Sequence, residues 1–352
     1  MDVNPERLKS FMGKMLGDFG AAANAALIKV GDRLGLYKVL AAQGPMTSQQ
    51  LAAASGTTER CVREWLSAQA ASGYVEYDPA TARFSMLPEQ AMVFADEDSP
   101  YFMGAVGDMM SALILDEPKI SAAFKTGTGV GWNERSECLF CGTARFFRTT
   151  YKHQLVQEWL PALDDVVGKL ERGAKVADIG CGHGISTILM AKAFPDSRFF
   201  GFDAHPGSID AARGSAEREG LSERVSFAVA TAKTVPANGY DLVCFFDCLH
   251  DMGDPVGALR HVRETMADDG TCMLVEPFAN DRLENNFTPV GRLFYAASTM
   301  VCTPASMAQE VGLALGAQAG ETRLREVAKQ GGFARFRRAT QTPFNLILEA
   351  RK

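Results

Sequence analysis

The sequence lacks an apolar run long enough to cross a bilayer. Its most apolar stretch, Phe102 to Leu115, is interrupted by Asp108 and is shorter than the roughly 20 residues a spanning helix needs. Met1 to Phe11 contain no apolar h-region, so a secretory signal is not expected. Positive charge is also scarce: 36 Lys and Arg stand against 42 Asp and Glu, a formal net charge of −6. A surface that neutralises phosphates needs the opposite balance, which makes nucleic acid an unexpected partner. The Cys138–Cys141 pair has no second pair at zinc-ribbon spacing, and no metal site is expected. Several of the eight cysteines fall in apolar strands, where reduced thiols pack as small hydrophobes. Such usage points to a cytoplasmic protein. Repeats and low-complexity tracts are missing as well.

What is present is a core-forming composition, 47% apolar over 352 residues, enough for two domains. One stretch organises it: Val176-Ala177-Asp178-Ile179-Gly180-Cys181-Gly182-His183-Gly184-Ile185. A short apolar strand breaks into a turn with glycine at every second position, then enters a helix. Glycine takes φ > 0 without steric cost and lets a ligand lie against the backbone. The helix that follows aims its free N–H groups at the turn. A dinucleotide fingerprint needs G-x-G-x-x-G, and Ile185 stands where its third glycine belongs. By spacing alone, an ordinary tight turn or another kind of nucleotide site fits too.

Along the chain, residues 6–42 read as helical. Thr47 or Ser48 caps a short helix through Ala54, and Thr57 or Thr58 caps a second, Glu59 to Ala71. Tyr74–Tyr77 and Arg83–Met86 then read as a β-wing, completing a winged helix-turn-helix. Its second helix offers only Arg60 and Arg63 against Glu59 and Glu64, poor equipment for a DNA groove. From Asp96 to Leu160 the chain reads helical, broken at Pro118 and at Gly127 to Gly131. From Lys175 strands alternate with helices, predicting a doubly wound parallel sheet. Strands are expected at 175–179, 198–203, 224–229, 241–246 and 271–276, followed by an insertion at 277–312. A terminal strand pair is expected at 333–338 and 344–350.

Asp178 to Gly184 resembles motif I of the class I S-adenosylmethionine-dependent methyltransferases, and the likeness extends over the C-terminal half. The closing strand pair is similar to their terminal hairpin. Residues 20–90 look like the winged-helix dimerisation domain of small-molecule O-methyltransferases. Arg63 to Leu66 and Gly142 to Phe147 are similar to an uncharacterised bacterial group of winged-helix methyltransferases, sometimes labelled transcriptional regulators. The resemblance implies an α/β, Rossmann-like seven-stranded doubly wound sheet preceded by a mostly helical winged-helix domain. Its divisions are 1–95 for the dimerisation domain, 96–165 for a helical linker and active-site lid, and 166–352 for the catalytic domain.

Site residues follow. Asp178, Gly180, Gly182, Gly184, Asp203, Ala204, Thr231 and Asp247 are expected to hold S-adenosylmethionine. Asp203, at the end of the second strand, is placed to take ribose hydroxyls. Relatives often put an acid after strand three to meet adenine; this chain has Ala230-Thr231-Ala232 there. Asp247 to Met252 is similar to the family's His-Asp-Trp signature, which makes His250 the expected general base and Glu276 its orienting acid. A second orienting acid has no clear counterpart, with Glu310 as the candidate. Trp132, Arg148, Tyr151 and Tyr295 are expected at the acceptor, and Arg145, Arg148 or Arg292 to hold a carboxylate. The implied activity is methyl transfer to a small-molecule hydroxyl by a homodimer joined through its N-terminal domain. Alternatives are S- or N-methylation, or a transcriptional regulator that senses S-adenosylmethionine.

Overall fold

A computed structural model describes residues 2–352. The chain forms two compact units. The first comprises residues up to Ile114 with Cys141–Thr149; the second comprises Leu115–Phe140 and Thr150–Lys352.

In the first unit, α1 (Pro5–Arg33) starts at Asn4, whose side chain accepts the Arg7 N–H. After it come α2 (Leu36–Gln43), α3 (Ser48–Ser55) and α4 (Glu59–Ala71). Thr47 and Gln50 close a reciprocal capping box on α3. The wing is shorter than expected, β1 (Glu76–Asp78) against β2 (Arg83–Ser85), followed by α5 (Pro88–Phe94). Val75 leaves the wing to join a core of Leu36, Tyr37, Leu40, Leu51, Val62, Trp65 and Leu66. Polar side chains buried at this core pair with one another. Tyr37 donates to Gln69 Oε1 at 2.6 Å, and Gln69 donates to Asn24 Oδ1 at 2.7 Å. On α4, Arg60 pairs with Glu64 and Arg63 with Glu59.

Helices α6 (Val106–Thr126) and α7 (Glu137–Thr150) give residues to both units. Helix α6 runs through Pro118 rather than breaking there. Ile114 and Leu115 are exposed, so water reaches the turn whose carbonyl loses its partner to the proline ring.

The second unit is built on a seven-stranded sheet. Its elements are α8 (Val166–Glu171), β3 (Lys175–Ile179), α9 (Ile185–Ala193), β4 (Arg198–Asp203), α10 (Pro206–Arg218), β5 (Val225–Val229) and β6 (Tyr240–Phe246). Next come α11 (Pro255–Thr265), β7 (Met266–Pro277), α12 (Pro289–Ala297), α13 (Thr303–Met307), α14 (Gly320–Gln330), β8 (Arg335–Gln341) and β9 (Asn345–Arg351). Strand order is β5-β4-β3-β6-β7-β9-β8, with β9 antiparallel to both its neighbours. The chain reverses its direction of travel across the sheet between β3 and β6. That switch point leaves a crevice beyond the carboxyl ends of these two strands. Ala177, Ile179, Val243, Phe245, Leu274 and Leu348 are fully buried in the sheet core. Each of these side chains larger than alanine contributes roughly 1.5–3 kcal/mol. Two short π-helices, Tyr151–Trp159 and Ser298–Cys302, interrupt the α-helical runs.

Candidate functional site

Strand β3 ends in the glycine bend, and the three glycines are there for different reasons. All have positive φ: 72° at Gly180, 52° at Gly182 and 75° at Gly184. A Cβ on Gly180 would meet Cys248 Sγ at 2.8 Å, and one on Gly184 would strike the Phe227 ring at 2.5 Å. Gly182 alone has nothing within 4 Å of that position. Its face is the open one, the cradle a bound molecule can occupy.

Two carboxylates flank the bend. Asp203, at the tip of β4, accepts the Gly182 N–H at 2.9 Å and the His205 N–H at 2.8 Å. It does not cap α10; His205 does, its Nδ1 accepting the Ser208 N–H at 3.1 Å. The His205 ring stacks on Phe140, centroids 4.4 Å apart. Asp178 is fully buried in β3, and its Oδ2 accepts from Ser186 and Thr187 hydroxyls, each at 2.6 Å. Its Oδ1 has no hydrogen-bond partner among the described residues. Burial pushes this carboxyl up to about 6, although the two hydroxyls pull it down. A buried acceptor left over beside an open glycine face fits a ligand that brings a positive charge. Ala204 and Thr231 lie at the exposed ends of β4 and β5; the Thr231 hydroxyl faces that of Thr234 at 3.1 Å. His183, half-buried in the bend, is held below its ordinary value by burial.

Across the switch point, β6 ends in a turn at Leu249–Asp251. Asp247 takes φ 50° and donates its N–H to Val275 O at 2.8 Å. Asn345 donates to its Oδ1 at 2.8 Å, and Tyr151 reaches its Oδ2 at 3.4 Å from the first π-helix. Burial and the nearby Glu276 push Asp247 up to about 8. Cys248 joins this turn to the glycine bend: its Sγ donates to Ile179 O at 3.1 Å.

His250 is 3% exposed. Its Nδ1 lies 2.6 Å from Glu276 Oε2, at the end of β7, while Glu276 Oε1 accepts the Leu249 N–H at 3.1 Å. A carboxylate only accepts, so in the neutral ring Nδ1 carries the hydrogen and Nε2 is the nitrogen left for chemistry. Burial lowers the imidazole, but Asp251 and Glu276 outweigh it and hold it well above its ordinary value. Nε2 faces Asp251 Oδ1 at 3.2 Å. The second acid at the histidine is thus Asp251; Glu310 pairs instead with Lys233, at 2.9 Å.

Other expected residues divide. Tyr151 is buried against Phe246, at 5.3 Å, and Trp132 is half-buried, 5.9 Å from Phe140. Tyr295 is half-buried on α12. Arg148 is exposed and belongs to the first unit. Arg145 is already engaged there, with Asp32 at 2.5 and 2.9 Å, Glu97 at 3.1 Å and its guanidinium over Phe102. It is not a free anchor for a substrate carboxylate.

Sequence reasoning missed the clamp on the histidine turn. Ser306 donates to Met252 O at 2.8 Å, and Gln309 donates to Asp251 O at 2.8 Å. Cys302, on the second π-helix, brings its thiol within 4.8 Å of donor atoms on His250 and Asp251. Buried Arg135 holds that π-helix by donating to Met300 O at 2.9 Å and Val301 O at 3.2 Å. Nothing in the local sequence marks Cys302 or Arg135, because Cys302 acts on a turn about 50 residues before it and Arg135 on a π-helix 165 residues after it.

Residues 170–332 match the family described as a methyltransferase domain, and residues 22–95 match the Rv2258c-like winged HTH domain. Trans-aconitate 2-methyltransferase of Streptomyces avermitilis is 39% identical over 105 residues, 30% of this chain and 39% of that protein. The chain spans less than half the length of the curated relatives it matches. Among solved structures, PigF with SAH superposes with a TM-score of 0.72 at 17% identity, covering all of both chains. Human N-acetylserotonin methyltransferase in complex with SAM gives 0.69 at 16% identity, over 100% of this chain and 98% of the other. The chain joins an N-terminal winged-helix domain to a class I methyltransferase domain.

Proposed function

We propose that this winged-helix methyltransferase moves a methyl group from S-adenosylmethionine to the hydroxyl of a small molecule, with His250 as general base. One observation carries the proposal: the buried His250–Glu276 pair stands at the switch point beside an open glycine bend, and Cys248 ties the two together.

The bound cofactor supplies a sulfonium methyl open to direct displacement. Gly180 to Gly184 would carry its backbone-facing side, Asp203 its ribose hydroxyls, and Ala204 and Thr231 the adenine end. The Oδ1 of Asp178 and the Asp247 carboxyl would serve its amino-acid end. Asp178 is fully buried, so an ammonium would reach it through ordered water. Glu276 fixes the tautomer that leaves Nε2 to accept the acceptor's proton, and it stabilises the imidazolium that results. Proton removal of this kind contributes roughly 10²- to 10⁴-fold, and alignment supplies much of the rest. The half-buried rings of Trp132 and Tyr295 and the buried Tyr151 support an acceptor that is partly apolar.

The first unit supports a dimer rather than a DNA reader. Leu8, Phe11, Met12, Leu16 and Phe19 expose an apolar row on α1, which suits a second copy. The α4 cations are taken up by acids of the same helix. Calorimetry with S-adenosylhomocysteine tests the cofactor, and assaying a panel of phenols, thiols and hydroxy acids for its release tests the acceptor. No heat with either the methyl donor or its demethylated product overturns the proposal. Salt-sensitive binding to an upstream DNA fragment would favour the regulator instead.

A further inference from the structure

The histidine turn carries a feature that the methyl-transfer reading does not use. His250, Asp251 and Cys302 are 3%, 8% and 7% exposed, and one donor atom of each lies within 4.8 Å of the others. Nε2 and Asp251 Oδ1 are 3.2 Å apart, yet Oδ1 has no hydrogen-bond partner among the described residues. The two atoms form an ion pair when the ring is protonated, and a cation between them would take that proton's place. Their separation suits two ligands each about 2.0–2.2 Å from a tetrahedral ion. A thiol, an imidazole and a carboxylate are the donors that zinc-class ions select. Glu276 on Nδ1 at 2.6 Å supplies the outer carboxylate that orients a metal-bound histidine. Gln309 and Arg135 hold the turn and the π-helix that deliver Asp251 and Cys302.

We propose that His250, Asp251 and Cys302 form a site for a borderline-soft divalent cation such as zinc, with one coordination position left open. The cation takes the lone pair that the general base needs, so metal binding and proton acceptance compete for Nε2. Bound zinc therefore slows methyl transfer, and a chelator restores it. That consequence rests on the methyl-transfer reading; the binding itself does not.

Cobalt(II) tests the binding directly on the full-length protein. Reduced, metal-free protein titrated with cobalt should retain about one equivalent through gel filtration and show near-ultraviolet sulfur-to-cobalt charge-transfer absorption. Cys302→Ser should lose that absorption. Asp251→Asn should keep the absorption but bind more weakly, and it serves if the serine variant fails to fold by circular dichroism. Glu276→Gln should weaken binding roughly 10- to 100-fold. No retained cobalt in the wild type, or absorption that persists in Cys302→Ser, overturns the site. Calorimetry with S-adenosylhomocysteine on the metal-free protein separates the two readings. Protein that binds this nucleoside but no cobalt loses only the metal site; the reverse result removes only the methyl donor.

Discussion

The glycine bend after β3 and the histidine turn after β6 lie against each other at the switch point, but they are built in opposite ways. The bend is local: five consecutive residues, three of them glycine, set its path, and Asp203 adds one bond. The turn is assembled from a distance. Glu276 comes from β7, Asn345 from β9, Tyr151 from one π-helix, and Cys302, Ser306 and Gln309 from the segment after α12. One region stays open and the other is closed. A binding surface can be specified by backbone conformation alone, whereas a buried ionisable group draws its partners from distant parts of the chain.

The largest effect should come from the closed region. His250→Ala is expected to lower turnover by roughly 10²- to 10⁴-fold, while calorimetry finds the nucleoside still bound. Unchanged turnover would remove the base assignment and leave the bend as the whole of the recognisable site. The opposite split is expected within the bend. Gly184→Val drives a branched side chain into Phe227 at positive φ and should cost about 1–3 kcal/mol of stability or more. Gly182→Ala meets open space and should cost only about 1–2 kcal/mol for its left-handed backbone. Its methyl group occupies the ligand's face, so affinity should fall further than stability does. Equal losses in chemical denaturation and in nucleoside affinity would mean that Gly182 serves the fold alone.

The same contrast explains what could be read from the chain beforehand. The β3 strand matches its expected bounds, and Asp254 caps α11 by accepting the Gly257 N–H, as its place before Pro255 suggests. Those signals are written within a few residues. The His250–Glu276 pair was legible only through resemblance. Asp251 stands inside the same motif, whereas Glu310 folds onto Lys233, because sequence distance says little about which acid a turn will fold back on. Pro118 misled for a related reason: an exposed helix tolerates the missing bond that a buried one does not. The π-helices had no signal at all. One extra residue in a turn changes which side chain faces inward without changing the hydrophobic pattern enough to show it.

Proton linkage sharpens the comparison from the open side. The Asp178 carboxyl is raised from 3.8 to about 6 in the folded chain. A raised acid holds its proton more tightly folded than unfolded. Its stabilising contribution is therefore complete below about pH 4 and lost as pH rises to about 6. The full swing is of order 3 kcal/mol. Asp178→Asn removes that term, so its melting temperature should gain on the wild type between pH 4 and 6, whatever constant cost the amide brings. A cationic ligand favours the ionised form, so binding near pH 6 should release protons. Calorimetry in buffers of different ionisation enthalpy measures this directly. A wild type and variant that titrate in parallel would take Asp178 out of the ligand's reach.

The smallest effect belongs to the one atom shared by both regions. Cys248 Sγ makes a weak bond to Ile179 O and occupies the space that a Gly180 side chain would need. Cys248→Ala removes the bond and keeps the room, so stability should change by no more than about 1 kcal/mol. Nucleoside affinity and turnover should then hold close to the wild type. Cys248→Val adds bulk against the glycine bend and should lower both together, because the bend and the turn cannot move apart without breaking the β3–β6 ladder behind them. If valine lowers turnover while affinity is untouched, the two regions act independently and their contact is packing alone.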